Sequence, residues 1–255
     1  MVMFLRRNRR ILYAAGLVVA VALIFLISGT PAFVSTAAAT RQLPIYCVQR
    51  DDPCVSLTFD AAWGNEDTQL LIDILGNYGV KATFFVVGSW VDKYPDSVRA
   101  LSDAGHEVMT HSDDHAHFTK LSSEEIQKNI NQSCDKIEGV TGKRPTLFRC
   151  PYGEYDDHVI AAVSEMGIKT IQWDVDSLDW KELSAREILQ RVQSGVQPGS
   201  IILFHNAAKH TPEALPGIIE YLIQNGYHIV PVSEILLTGD YEMDHTGRMC
   251  RPGSA

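Results

Sequence analysis

The first 50 residues of the chain contain no acidic residue, although they contain six arginines. The other 205 residues carry 16 basic and 31 acidic side chains, a net charge of −15. This excess of acid argues against nucleic acid or anionic lipid as a partner of that part, because binding phosphates requires a basic surface. The two parts of the chain are therefore predicted to lie in different environments.

Cysteine is also scarce, and its pattern excludes two kinds of site. The five cysteines are an odd number and form no CxxC pair, so they fit neither a zinc knuckle nor a complete disulfide framework. Cys47 with Cys54 could close a short loop, but buried free thiols are expected for most of the five. No internal repeat and no low-complexity segment stands out either.

Residues 1–39 are predicted to direct export. The cationic flank Arg6–Arg10 precedes an uncharged apolar run, Ile11–Ile27. A positive flank before such a run keeps the N-terminus cytoplasmic while the following chain is exported. The run is long for a signal peptide and short for a membrane span, and Ala37-Ala38-Ala39 offers a small-residue cleavage site. A cleaved signal and a membrane anchor both stay open, and either makes the rest of the protein extracytoplasmic, anchored to the membrane or secreted.

The rest of the chain alternates short β-rich runs with amphipathic helical patterns, which is typical of βα units. We expect a linker at 40–52, one α/β domain at 53–238 and a loose tail at 239–255. About seven units in this length favour a barrel of parallel strands over a doubly wound sheet. The predicted strands are Val55–Phe59, Lys81–Val86, Glu107–Met109, Thr146–Phe148, Thr170–Gln172, Ile201–Phe204 and His228–Val230. The predicted helices are Thr68–Tyr78, Ser97–Ala104, Ser123–Val140, His158–Met166, Ala185–Gln193 and Pro212–Gln224.

Polar side chains follow five of these strands, at the edge of a parallel barrel where reactive groups belong. An account based on core packing does not explain this set of strand ends. The residues are Asp60, His111, Arg149, the group Asp174, Asp176 and Asp179, and His205.

His111 and His115 are the candidate metal ligands. On a helical turn, residues four apart lie on the same face, within reach of one Zn²⁺ ion at about 2.0–2.1 Å from each nitrogen. The segment 111–115 is therefore expected to hold a metal from such a turn.

Five motifs resemble, in order and spacing, those of the polysaccharide deacetylases, also called carbohydrate esterase family four or the nodulation chitooligosaccharide deacetylase homology domain. The resemblance covers about residues 53–236. With Trp63-Gly64-Asn65 after the first motif, the chain is most similar to the sporulation-associated deacetylases of Gram-positive bacteria. The motifs are Thr58-Phe59-Asp60, His111-Ser112-x-x-His115, Arg149-x-Pro151-Tyr152-Gly153, Asp176-Ser177-x-Asp179-Trp180 and Leu203-x-His205.

This resemblance implies a distorted (β/α) barrel and metal-dependent hydrolysis of N-acetyl groups on a glycan, peptidoglycan or a chitin-like polymer. His111 and His115 would hold a divalent metal, zinc first, with cobalt or manganese as alternatives. The metal would lower the pKa of a water molecule and polarise the carbonyl. Asp60 would be the general base, and Arg149 would keep it ionised.

The remaining motif residues would serve the leaving group and the substrate. His205 would be the general acid, with Asp179 as the first choice for its carboxylate partner and Asp176 as the second. Three residues would contact the sugar or its acetyl group: Tyr152 through its backbone N–H at the oxyanion, and Trp180 and Leu203 as pocket walls.

One departure from the family pattern concerns the metal. The family usually has two successive aspartates in the first motif, but here Asp60 is followed by Ala61, which has no donor atom. Asp60 itself could bind the metal, Asp113 or Asp114 could substitute, or the protein could bind metal weakly and have little activity. The alternative function is therefore a catalytically weakened relative that binds wall glycan structurally.

Overall fold

A computed structural model describes residues 41–254, which form a curled parallel β-sheet covered by helices on its outer side. The strands are β1 (Cys47–Val48), β2 (Cys54–Ala61), β3 (Thr83–Val86), β4 (Glu107–Thr110), β5 (Leu147–Phe148), β6 (Lys169–Thr170), β7 (Val175–Asp176), β8 (Ile201–His205), β9 (His228–Ile229), β10 (Glu242–Met243) and β11 (Arg248–Cys250). The helices are α1 (Thr68–Asn77), α2 (Gly88–Lys93), α3 (Pro95–Asp103), α4 (Ser123–Thr141), α5 (Asp157–Ser164), α6 (Ala185–Gly195), α7 (Thr211–Gln224) and α8 (Val232–Ile235).

The main sheet confirms the predicted barrel-like α/β fold. Seven parallel strands follow the order β6-β5-β4-β3-β2-β8-β7, and β9 pairs with the start of β2. The strand β2 is buried along its whole length and has β3 and β8 as neighbours. Its register places Asp60 opposite His205 on β8, so two of the predicted reactive groups lie side by side at one edge.

Side chains along β2 alternate between two environments, as a strand period of two requires. Val55, Leu57, Phe59 and Ala61 belong to an apolar cluster with residues of the covering helices. Thr58 and Asp60, at the intervening positions, contact Arg149 instead. The strand therefore presents an apolar side to the helices and a polar side to the interior of the curl.

The segment before β2 pairs with the main sheet at two places, although the sequence predicted only a linker at 40–52. Ile45 pairs with Ile171 just after β6, and Cys47 pairs with Ser200 just before β8. The strand β1 also pairs with β11, which pairs with β10, in a small second sheet. The tail at 239–255 is thus not loose over these strands. The strands β1, β10 and β11 have two or three residues each and lie outside the alternation of strands and helices, so no sequence pattern marked them.

The predicted helices and strands of the domain are present with ends shifted by a few residues. The capping box at Ser122 and Glu125 is present, with both of its hydrogen bonds. Besides the strands of the small second sheet, three short elements were not predicted: α2, α8 and β7.

The five cysteines are buried free thiols, as expected for most of them, and Cys47 does not pair with Cys54. Within residues 41–254, no helix is long and apolar enough to cross a membrane. The apolar run Ile11–Ile27 lies outside the described residues.

Candidate active site

Asp60 and Arg149 form a buried ion pair at the C-terminal edge of the sheet. The Arg149 guanidinium donates to Oδ1 of Asp60 at 2.8 Å and to Oγ1 of Thr58 at 2.9 Å. Its second terminal nitrogen donates to the carbonyl oxygen of Gln172 at 3.1 Å. Burial alone would raise the pKa of Asp60, but Arg149 and the nearby imidazoles outweigh it and hold the pKa below the usual value. Asp60 is therefore an ionised carboxylate at neutral pH.

Arg149 is fully buried, which is rare for arginine unless its charge is paired. Its guanidinium lies 4.2 Å from the ring centre of Phe85 and 5.5 Å from that of Trp173. These rings and the three acceptors fix the cation beneath Asp60. The sequence predicted Asp60 as the partner of Arg149. It did not predict the hydrogen bond from Arg149 to the Thr58 hydroxyl, because no role was assigned to that side chain.

His111 and His115 converge, but not from a helical turn. The segment between them is a loop in which Ser112 and His115 adopt left-handed backbone conformations, with φ of 76° and 59°. The two ring centres are 5.0 Å apart. The expectation of a helix was wrong because the Ser112 hydroxyl accepts from the His115 N–H at 2.9 Å, and this local bond stabilises a turn in place of a helix.

The two aspartates between the histidines point away from the site. Asp113 forms an ion pair with Lys136 at 2.6 Å, and Oδ1 of Asp114 accepts from Asn129 at 2.8 Å. Neither lines the pocket that contains His111 and His115. The structure thus removes Asp113 and Asp114 as substitutes for the missing carboxylate, and Asp60 is the acidic group beside the two imidazoles.

The donor atoms fit a divalent cation in two respects. Nδ1 of His111 donates to the carbonyl oxygen of Arg149 at 2.8 Å, which leaves Nε2 as a lone-pair donor, as in metal-binding histidines generally. Nε2 lies 3.6 Å from Oδ2 of Asp60, close to the separation of about 3.4 Å that two ligands of one tetrahedral zinc would have. Burial lowers the pKa of His111 to about 4 and also lowers that of His115, so both rings are neutral at pH 7.

The same donor set is small. Among residues 41–254, no cluster of three or more His, Cys, Asp or Glu side chains is arranged to hold a metal ion. Ala61 is only 1% exposed and packs in the apolar cluster of β2, so nothing at that position offers an oxygen. The site thus provides two imidazoles, with Asp60 beside them but already bonded to Arg149.

His205 and Asp179 form the second charged pair of the pocket. Nδ1 of His205 lies 2.8 Å from Oδ1 of Asp179, and the backbone N–H of His205 donates to Oδ2 at 2.8 Å. Thr211, at the start of α7, also donates to Oδ2, at 2.6 Å. Burial would lower the pKa of His205, but the bond to Asp179 and the surrounding carboxylates raise it above the usual value. A protonated imidazole is therefore favoured here.

Asp176, the second choice as partner of His205, has another contact. Its Oδ1 accepts from the backbone N–H of Leu178 at 2.8 Å, and its side chain lines the pocket. The structure thus places Asp179, rather than Asp176, against the imidazole. The sequence feature that favoured Asp179 over Asp176 was Trp180, which follows Asp179 directly in the fourth motif.

The predicted substrate contacts all lie around this pocket. Leu203 is buried in its wall, whereas Tyr152 and Trp180 are each 58% exposed at its rim. Tyr152 has a φ of 60°, and the following Gly153 has a φ of 68°. A Cβ at Gly153 would approach the Trp173 ring to 3.0 Å, so this turn requires glycine. Trp63 and Trp173 also line the pocket and were not predicted to do so.

Comparisons with known proteins point to one family. A sequence model of the polysaccharide deacetylase family matches residues 48–171. The peptidoglycan-N-acetylmuramic acid deacetylase PdaC of Bacillus subtilis is 37% identical over 74% of this chain and 40% of its own length. A peptidoglycan-N-acetylglucosamine deacetylase of Bacillus cereus is 31% identical over 72% of this chain and 68% of its own length.

Among solved structures, a CE4 family pseudoenzyme from Bacillus anthracis is 35% identical, with a TM-score of 0.73 over 75% of this chain and 68% of that chain. A mutant of that protein is described as having restored enzymatic activity. The present chain spans only 38% to 60% of the length of the first curated relatives that it matches.

Proposed function

The chain belongs to the polysaccharide deacetylase family, and we propose that it hydrolyses N-acetyl groups on peptidoglycan or a related cell-wall glycan. The observation that carries this proposal is that two bonded pairs of charged side chains lie in one pocket. Asp60 is bound to Arg149, His205 is bound to Asp179, and the two pairs meet across adjacent strands. Hydrolysis of an amide needs a base for the water and an acid for the leaving amine, and these pairs provide both.

Asp60 is the proposed base because Arg149 keeps its carboxylate ionised while burial deprives it of water. A water molecule between Asp60 and the substrate carbonyl would lose its proton to Oδ2, since Oδ1 is held by Arg149. His205 is the proposed acid. Its Nδ1 is bonded to Asp179, so Nε2 is the atom that delivers a proton to the amine nitrogen.

A divalent cation is part of this proposal, because the deacetylases of this family generally depend on one. His111 and His115 would hold it, with Asp60 as the neighbouring carboxylate. We propose zinc, with cobalt or manganese as alternatives. When bound, such an ion polarises the amide carbonyl and acidifies the attacking water.

Substrate contacts follow from the walls of the pocket. The backbone N–H of Tyr152 would donate to the oxyanion, because Tyr152 lines the pocket and its ring contacts His115. Leu203 and Trp180 offer apolar surface for the acetyl methyl group and a sugar face. Asp176 would accept from a sugar hydroxyl at the rim.

A second candidate is a glycan-binding protein with weakened catalysis. It is favoured by the lack of a carboxylate at Ala61 and by the similarity to a pseudoenzyme of the same family. The retained base, arginine, acid and acid partner favour the enzyme, because binding alone needs none of them.

Metal content and acetate release distinguish the two candidates. The purified domain from residue 41 onwards would be incubated with zinc, cobalt or manganese, and acetate measured with peptidoglycan and with chitooligosaccharides. Release that is lost in Asp60→Asn supports the deacetylase. No release with any metal, together with retained binding to the same glycans, supports the binding protein.

A further inference from the structure

The loop that carries the two histidines is fastened to helix α4 by polar side chains. The face of α4 that packs on the core is otherwise apolar, with Ile126, Ile130 and Ile137 fully buried. Asn129 and Ser133 lie one turn apart among them, with exposed fractions of 9% and 0%. Buried polar side chains cost stability unless they are hydrogen-bonded, so their partners show what this face holds.

Asn129 uses both ends of its amide on that loop. Its Oδ1 accepts from the backbone N–H of Asp113 at 2.7 Å, and its Nδ2 donates to Oδ1 of Asp114 at 2.8 Å. The same Asp114 oxygen accepts from the backbone N–H of Ala116 at 3.2 Å. One amide on α4 therefore ties together the residues on both sides of His115.

The next contacts of α4 reach the start of the loop. Thr110, at the end of β4, donates from its hydroxyl to Oγ of Ser133 at 2.8 Å, and its Oγ1 accepts from the backbone N–H of Ser112 at 3.2 Å. Lys136, three residues further along the helix, forms an ion pair with Asp113 at 2.6 Å. Spacings of four and three residues keep these contacts on one helix face, which thus holds three successive residues of the loop.

The loop needs such support because its backbone is intrinsically unfavourable. Ser112 and His115 have positive φ although neither is glycine, and such conformations persist only where surrounding contacts impose them. The N–H groups of Ser112, Asp113 and His115 donate to side-chain oxygens and not to a neighbouring strand. Asn129 provides the one of these three acceptors that comes from a helix.

We propose that Asn129 is a positioning residue for the metal site, because it fixes the loop so that His115 faces His111 before a metal arrives. The role rests on the proposed metal site. Asn129 does not line the pocket, so it acts only through the loop. Ligands that are held in place in advance lose less freedom on binding, and residues that orient metal ligands typically change the metal affinity by about 10- to 100-fold.

The test exchanges the two partners of one hydrogen bond. Asn129→Asp can still accept from the Asp113 N–H, but it places a second carboxylate against that of Asp114. Combining Asn129→Asp with Asp114→Asn restores the bond in reverse, since the new amide can donate to the new carboxylate and still accept from Ala116. Asn131→Asp is the matched control, because Asn131 is an exposed asparagine on the same helix.

Two measurements are made on each protein. Amide hydrogen exchange of residues 112–116 reports on the loop in the metal-free protein, and competition with a chelator gives the zinc affinity. Asn129→Asp should speed exchange in the loop at least tenfold and weaken zinc binding at least tenfold. The double variant should recover most of both losses, and Asn131→Asp should match the wild type.

Unchanged zinc affinity in Asn129→Asp would overturn the positioning role. So would losses that the double variant does not recover, or faster exchange spread evenly over β2 and β8, since Asn129 would then support the fold as a whole. A wild type that binds no zinc contradicts the proposed metal site instead. In that case, loop exchange that rises in Asn129→Asp and recovers in the double variant still supports Asn129 as the residue that positions the two histidines.

Discussion

The Asp60 carboxylate and the Arg149 guanidinium lie 2.8 Å apart, with the arginine side chain entirely removed from solvent. Removing one member of such a pair leaves the other as an unpaired buried charge, whereas removing both does not. We therefore expect Arg149→Met to lower the free energy of unfolding by about 3–5 kcal/mol. The double variant with Asp60→Asn should be less destabilised than the sum of the single variants. Urea unfolding of the four proteins measures this, and additive losses would mean that the pair is not coupled.

Asp60→Asn should abolish acetate release while the protein stays folded. The amide keeps the shape of the side chain but cannot take up the proton of the water, and general base catalysis typically contributes about 10²- to 10⁴-fold. Steady-state kinetics with circular dichroism checks both parts. Full activity in this variant would show that the proposed mechanism is wrong.

On the alkaline side of the pH–activity profile, activity should fall as His205 loses its proton. Because the pKa of His205 is raised, its protonated form persists above pH 6.5 and is lost as pH rises through the raised value. Asp179→Asn removes the carboxylate that supports this charge, so the alkaline limb should move to lower pH and the rate should fall by at least about tenfold. Asp176→Asn is the control, and its alkaline limb should stay close to that of the wild type. Equal shifts in the two variants would contradict the assignment of Asp179.

Replacing either His111 or His115 with alanine should lower zinc affinity by well over tenfold. Each change removes one of the few protein donors, and the loop between them is held by other contacts. His117→Ala is the control, because its ring is bonded to Glu154 and does not line the pocket that contains His111 and His115. Metal content after dialysis against zinc gives the answer, and unchanged content in both single variants would mean that the pair is structural.

Ala61→Asp should couple stability to metal more strongly than the wild type. The new carboxylate replaces the side chain of Ala61, which is 1% exposed, so an unpaired charge there should destabilise the metal-free protein. The substitution restores the anionic ligand, and a bound metal would neutralise its charge. Zinc should therefore raise the melting temperature of Ala61→Asp by more than that of the wild type, and acetate release should increase. A smaller zinc-induced rise in Ala61→Asp would show that its carboxylate does not reach the metal.

We propose that the domain after Thr40 lies outside the cytoplasmic membrane, because Arg6–Arg10 precede the apolar run Ile11–Ile27. Protease added to intact, wall-stripped cells should digest it, while a cytoplasmic marker protein survives. Complete protection of the domain would contradict this location.

The sequence predicted those parts of the site that come from residue types at strand ends. The apolar runs before Asp60 and His205 are long enough to show where each strand stops. Leu147 and Phe148 precede Arg149 in the same alternation of strands and helices, and parallel strands bring these ends together. The conformation between His111 and His115 was missed, because it depends on the Ser112 hydroxyl and on two left-handed residues that have no periodic signal. Thr211 was missed because its hydroxyl reaches Asp179 only through the tertiary placement of α7.

The backbone pairing of residues 45–48 sets a limit on where the chain can be cut without losing part of the sheet. The Ile45 N–H donates to Thr170, the Gln172 N–H donates back to Ile45, and the Val48 N–H donates to Gly199. A peptidase that cut before Leu43 would leave this bridge across the sheet in place. A cut after Gln49 would detach it and leave the carbonyl of Thr170 and the N–H of Gln172 without their strand partner. Maturation compatible with a stable domain must therefore stop short of the bridge.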